Sequence, residues 1–217
     1  MIGIFGGTFD PIHEGHLHLL RTALQAFDFS KVLVIPTGQN PHKRERTGAR
    51  GKDRMEMLRL GLLDLADARL VASDLEIKRN GPSYTIETLQ EVKQTEKESL
   101  VLILGNEVFE SLPRWKDPHR VLELASCCVA RRHNDVATDY ATLLQLIGFH
   151  SLSKRPDKPG RIYYQSDQWI QEVSLKPLPV SATAIRRSMV QASTERPTGL
   201  TPPVWKYIKE NHLYSVS

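Results

Sequence analysis

The stretch Ile2-Gly3-Ile4-Phe5-Gly6-Gly7-Thr8-Phe9-Asp10-Pro11-Ile12-His13-Glu14-Gly15-His16 decides the fold. Ile2–Phe5 is short, apolar and bounded by glycines, which predicts a buried strand. From Gly15 to about Phe27, the residues Leu17, Leu20, Ala23, Leu24 and Phe27 recur at helical spacing. A strand, a glycine-rich loop and a helix in that order start a βα unit. Paired glycines let a backbone approach an anion closely, and the helix N-terminus supplies N–H groups to hold it. The loop is not a dinucleotide fingerprint, because GxGxxG cannot be laid over it, and not a P-loop, because GK[ST] is missing. His13 and His16 stand three apart where the helix begins, so both imidazoles can face one way. His18 would point elsewhere and no further ligand is suitably spaced, so a zinc site is not expected.

Outward from this unit the alternation continues. Val32–Ile35 reads as a buried strand ending at Pro36. Asp53 is placed to cap a helix whose apolar stripe is Met55, Leu58, Leu62 and Leu65. Arg69–Ala72 and Leu75–Lys78 read as extended pieces, Thr85–Val92 as helix, and Leu100–Leu104 as a buried strand closed by Gly105. A helix around His119–Leu124 leads to a strand at Cys127–Arg131. Arg161–Gln165 reads as strand, Ser181–Val190 as helix, and Pro203–His212 as a terminal helix opened by proline. Lys154–Gly160, with Pro156 and Pro159, is the candidate linker. The expected fold is α/β: a Rossmann-like, doubly wound parallel sheet, as one domain over 1–217 with 181–217 as a small C-terminal helical portion. Ligands in such sheets bind beyond the carboxyl ends of strands, which singles out the loops after Phe5, Ile35 and Leu104.

Composition excludes other classes. The chain has 217 residues, 40% apolar and 7% aromatic, enough to bury roughly 70% of its unfolded surface without disulfides or a structural metal. No apolar run approaches the roughly 18 residues of a membrane span, and the N-terminus has neither the basic flank nor the apolar core of a secretion signal. Cys127 and Cys128 are adjacent, where a bridge would be strained; free thiols in a reducing, cytoplasmic setting are expected. Net charge is +4, and the stretch Lys43, Arg44, Arg46, Arg50, Lys52, Arg54 against Glu45 and Asp53 carries as much by itself. Such a focus attracts anions. Nucleic acid is not the expected partner, because the few aromatics are not interleaved with the cations.

Gly-Gly-Thr-Phe-Asp-Pro-Ile-His-x-Gly-His resembles the signature of nucleotidyltransferases with a His-x-Gly-His motif, and in particular of bacterial nicotinate-nucleotide adenylyltransferases. Further pieces fit in order: Pro41-His42-Lys43, Pro82-Ser83-Tyr84-Thr85, Trp115-Lys116-Asp117, Ser181-Ala182-Thr183-Ala184-Ile185-Arg186, and the close from Val204 through Tyr207-Ile208 to His212-Leu213-Tyr214. The resemblance covers nearly the whole chain. It implies adenylyl transfer from ATP, with Mg²⁺, to nicotinate mononucleotide. On it, Gly7, Thr8 and Phe9 would hold nucleotide phosphates through the backbone. His13 and His16 would donate to them, with phosphate neighbours favouring the imidazolium. Lys43 would meet the polyphosphate. Thr183 and Arg186, behind Ser181 as N-cap, would bind it by helix dipole and guanidinium. The acceptor's ring would rest on Trp115, near Thr85, Gly105 and Arg132. Where the family carries Gly-x-Asp at a strand end, this chain has Gly105-Asn106-Glu107; Glu107 keeps acceptor oxygens for a ribose hydroxyl with one more methylene. Arg131-Arg132-His133 likewise stands where the family has Arg-Pro-Gly. Transfer to the amidated mononucleotide or to another phosphate, and nucleotide binding without turnover, are the alternatives.

Overall fold

The computed structural model describes residues 1–39, 48–133, 135–190 and 195–214. The aliphatic and β-branched runs form β1 (Ile2–Gly7), β2 (Lys31–Pro36), β3 (Leu70–Ala72), β4 (Leu100–Gly105), β5 (Ala125–Arg132), β6 (Arg161–Tyr163) and β7 (Trp169–Leu175). They build one sheet in the order β3-β2-β1-β4-β5-β7-β6. β4 runs parallel to both β1 and β5, and β5 parallel to β7; β6 is antiparallel to β7. The chain lays down β1, β2 and β3 in one direction, then returns to β1's other side with β4. That reversal is the switch point of a doubly wound fold, and the expected α/β class holds.

The helices are α1 (Glu14–Ala26), α2 (Gly51–Leu63), α3 (Leu75–Lys78), α4 (Thr85–Thr95), α5 (Asn106–Glu110), α6 (Pro118–Leu124), α7 (Tyr140–Ile147), α8 (Ala182–Val190) and α9 (Pro202–Glu210). Two local expectations are corrected. Leu75–Lys78 is a helical turn rather than an extended piece, closed by the Lys78 N–H on the Asp74 carbonyl at 3.0 Å. Asp53 does not cap α2: Arg50 holds that position, and Asp53 lies buried in the first turn, accepting from the Tyr207 hydroxyl at 3.0 Å. Its charge still complements the helix dipole. Three elements were not anticipated: α5, α7 and β7.

Two compact units make up the chain. One comprises Met1–Phe5, Thr22–Val32 and Tyr84–Pro177; its core is built on Ile2, Ile4, Ile103, Phe109, Leu122 and Cys127, each nearly closed to solvent. The other comprises Gly6–Arg21, Leu33–Ser83 and Leu178–Ser217, with Phe9, Ile12, Leu20, Met57, Leu58 and Val204 inside. Among the described residues, no helix is long and apolar enough to cross a membrane.

Candidate active site

The loop that follows β1 belongs to the second unit, and its shape starts with a contact only glycine permits. A Cβ on Gly7 would lie 2.9 Å from two carbons of the Phe9 ring. Phe9 itself takes a left-handed backbone (φ 47°), is 1% exposed, and sets its ring edge-on to His16 with centroids 5.1 Å apart. The loop's carbonyl oxygens are engaged by protein donors. The Thr37 N–H reaches the Gly7 oxygen at 2.8 Å, Arg54 Nη1 the Thr8 oxygen at 2.8 Å, and Arg186 Nη1 the Asp10 oxygen at 2.6 Å. Negative carbonyl ends are thereby held by the fold rather than presented to an incoming anion.

His13 and His16 meet as the spacing suggests. Their rings stack at 3.7 Å between centroids, 26° from parallel. The Gly15 N–H donates to His13 Nδ1 and the His13 N–H to His16 Nδ1, both at 3.2 Å. A nitrogen that accepts carries no proton, so each neutral ring is assigned its N–H on Nε2. Burial, aided by the neighbouring His13 ring, pushes His16 well below the ordinary histidine value. The expected imidazolium rested on phosphate neighbours; the protein's own groups favour neutral His16.

Ser181 Oγ accepts the Ala184 N–H at 3.2 Å and so caps α8 as expected. Thr183 is exposed on the first turn, and Arg186 follows on the second. A Cβ on Gly15 would come within 3.3 Å of Val180, so the lead into α8 lies against the first turn of α1. Gly7, Thr8, Phe9, His13, His16 and Arg186 therefore form one connected constellation, with Ser181 and Thr183 on the helix that carries the arginine. Lys43 lies outside the described residues.

The remaining expected residues belong to the first unit. Gly105 is the N-cap of α5, and Asn106 after it is buried, donating to Glu110 Oε1 at 3.0 Å and accepting from Thr138 Oγ1 at 2.5 Å. Glu107 is exposed, with one carboxylate oxygen 3.9 Å from Arg132 Nη1. Trp115 ends the 3-10 turn Leu112–Arg114 and donates its indole N–H to Ser111 Oγ at 3.0 Å. Thr85 opens α4, and nearby Lys116 pairs with Glu87 at 2.8 Å while lying 4.5 Å above the Tyr84 ring. Among the described residues, no group of three or more His, Cys, Asp or Glu side chains is arranged to hold a metal ion. Cys127 and Cys128 are free and buried on β5, and burial pushes the Cys128 thiol up to about 12.

Residue patterns missed three members of the loop's surroundings: Asp10, Arg54 and Tyr214. Asp10 and Arg54 are buried charges, Asp10 inside the motif itself; Tyr214 donates to Asp10 Oδ1 at 2.6 Å across 204 positions. An acid inside a glycine loop expected to hold phosphate was the available signal.

The cytidylyltransferase-like family matches residues 4–188. A Desulfatibacillum aliphaticivorans protein named "Probable nicotinate-nucleotide adenylyltransferase" is 35% identical over 218 residues, spanning 98% of this chain and 99% of its own. A Dehalococcoides mccartyi protein of the same name is 36% identical over 219 residues, spanning 98% and 96%. In fold, the chain is similar to Plasmodium falciparum nicotinic acid mononucleotide adenylyltransferase complexed with NaAD, at a TM-score of 0.70 and 15% identity over 98% of this chain and 96% of that one. The chain thus belongs to the cytidylyltransferase-like family and, within it, stands with the nicotinate-nucleotide adenylyltransferases.

Proposed function

We propose that the protein transfers the adenylyl group of ATP to nicotinate mononucleotide, forming deamido-NAD and pyrophosphate in cytoplasmic NAD synthesis. A phosphate oxygen of the mononucleotide attacks the α-phosphorus of ATP. The bond from that phosphorus to the α–β bridging oxygen breaks, and its electron pair leaves with pyrophosphate. The acceptor's second phosphate pKa is near about 6, so the nucleophile is already anionic at neutral pH and needs no general base. The protein must align the two groups and compensate their charge.

The observation that carries this reading is the stacked His13–His16 pair at the start of α1, whose Nδ1 atoms accept backbone N–H groups, so that both neutral rings carry their N–H on Nε2. Gly7, Thr8 and Phe9 hold ATP phosphates through the backbone. The two histidines, Lys43 and Arg186 donate to the polyphosphate, with Ser181 and Thr183 at the N-terminus of α8. Glu107 takes a ribose hydroxyl. Thr85, Gly105, Trp115 and Arg132 surround the acceptor, whose cationic pyridinium suits an indole face. Mg²⁺ enters on the phosphates of ATP, held by them and by water.

The test is pyrophosphate release from ATP and Mg²⁺ with nicotinate mononucleotide, run beside the amidated nucleotide. Strong preference for the acid is expected. Equal rates would remove the acid specificity, and no release with either acceptor would overturn the reaction.

A further inference from the structure

We propose that Tyr214 is a positioning residue: its hydroxyl holds the Asp10 carboxylate away from Arg186 and so keeps that guanidinium available to ATP phosphates. This rests on the adenylyl-transfer reading above. Asp10 is 6% exposed and is fastened from three directions within one unit. Its Oδ1 accepts from the Tyr214 hydroxyl at 2.6 Å and from the Ala49 N–H at 3.0 Å, while its main-chain oxygen accepts from Arg186 Nη1 at 2.6 Å. Its other carboxylate oxygen stands 4.0 Å from that same Nη1, an open ion pair beside a close carbonyl bond.

That partition matters for the chemistry. A buried carboxylate next to the arginine of an anion site competes with phosphate for the guanidinium and repels the phosphate as well. Two donors on Oδ1 draw the charge toward Tyr214 and Ala49, and Arg186 spends one N–H on a neutral carbonyl instead. The surroundings are shaped to keep Asp10 there. Gly48 has φ 138°, and a Cβ on it would overlap Asp10 Oδ2, so no other residue leaves room for the carboxylate. Beyond α9, His212 and Tyr214 both take left-handed backbones (φ 49° and 64°), an uncommon pair of turns for side-chain-bearing residues, and these bring the Tyr214 ring to Asp10. Burial, with the Asp10 charge second, raises the Tyr214 hydroxyl, so it remains protonated as a donor.

Tyr207 provides an internal control. Its hydroxyl donates to Asp53 Oδ1 at 3.0 Å, the same kind of bond, but made between α9 and α2 rather than to a residue of the motif loop. The full-length chain, Y214F, Y207F, and the double variant D10N/Y214F are titrated calorimetrically with a non-hydrolysable ATP analogue, and thermal midpoints are recorded in parallel. Y214F is expected to weaken binding about tenfold. Y207F should stay within about twofold while losing a comparable amount of thermal stability. D10N/Y214F should regain most of the lost affinity, because the competing charge is gone. Unchanged affinity in Y214F, an equal loss in Y207F, failure of the double variant to recover, or a Y214F chain that does not fold would each make the hydroxyl merely structural and overturn the proposal. A wild-type chain that fails to bind the analogue sinks the adenylyl-transfer reading first, and this proposal with it.

Discussion

Arg186 Nη1 donates to the main-chain carbonyl of Asp10 at 2.6 Å across 176 positions of sequence. Through this bond α8 is tied to the loop after β1, and the two motifs that point to phosphate become one object. An arginine used this way has a double role. One N–H fixes the loop, and under the proposed function the rest of the fork meets phosphate oxygens.

Arg186→Lys should therefore be far from conservative. An ammonium cannot hold the Asp10 carbonyl and offer a fork to phosphate at once. We expect kcat/KM for ATP to fall by about 10²-fold, with a modest drop in thermal midpoint. Steady-state pyrophosphate release with scanning fluorimetry measures both, and a loss within twofold would remove Arg186 from the site.

Gly7→Ala tests the geometry of the loop. The new methyl would press on the Phe9 ring, which is 1% exposed and has no room to retreat. Overpacking of this kind costs about 1–3 kcal/mol. Urea unfolding should register it. Gly6→Ala is the matched control, because nothing lies within 4 Å of the Cβ it adds. Similar losses in both variants would mean that the Phe9 contact is not what constrains position 7.

Glu107→Ala separates binding from stability at the proposed ribose contact. Its carboxylate is exposed and lies 3.9 Å from Arg132, a pair that contributes little to folding. The thermal midpoint should be unchanged while the KM for ATP rises several-fold. An unchanged KM would withdraw the ribose contact from Glu107.

The parts legible in the sequence were those fixed by near neighbours. β1, its glycine loop and α1 follow from period and composition within 26 residues, and the Ser181 cap from its place at the start of the expected helix. β7 was not legible. Its run Trp169-Ile170-Gln171-Glu172-Val173-Ser174-Leu175 has no clean alternation, and it is a strand because β5, some forty positions earlier, pairs with it and Phe27 stacks on Trp169 at 5.5 Å. α3 is too short for a helical period to show. The histidine pair was read from spacing, but its tautomers depend on which backbone N–H each Nδ1 meets. Asp10 read as part of a motif. Its partners Ala49, Arg186 and Tyr214 come from three distant segments, and no local pattern joins them.

His16 offers a test in which catalysis and stability respond separately. At pH 7.5, His16→Ala should cost about 10²–10³-fold in kcat, the loss associated with one preorganised donor to transition-state charge, with little change in thermal midpoint. The pH dependence has a definite sign. Burial holds the folded-state value well below 6.5, so an unfolded chain takes up a proton below that pH while the folded chain does not. The stability from neutral His16 is therefore complete above about pH 7.5 and is lost as the pH falls through 6.5 toward the folded value. Wild type should lose thermal stability more steeply than His16→Asn between pH 7.5 and pH 5, with the two slopes converging above that window. Parallel slopes would remove the burial shift at position 16, and a wild type that gains stability on acidification would place a charged imidazole there and reverse the neutral-donor assignment.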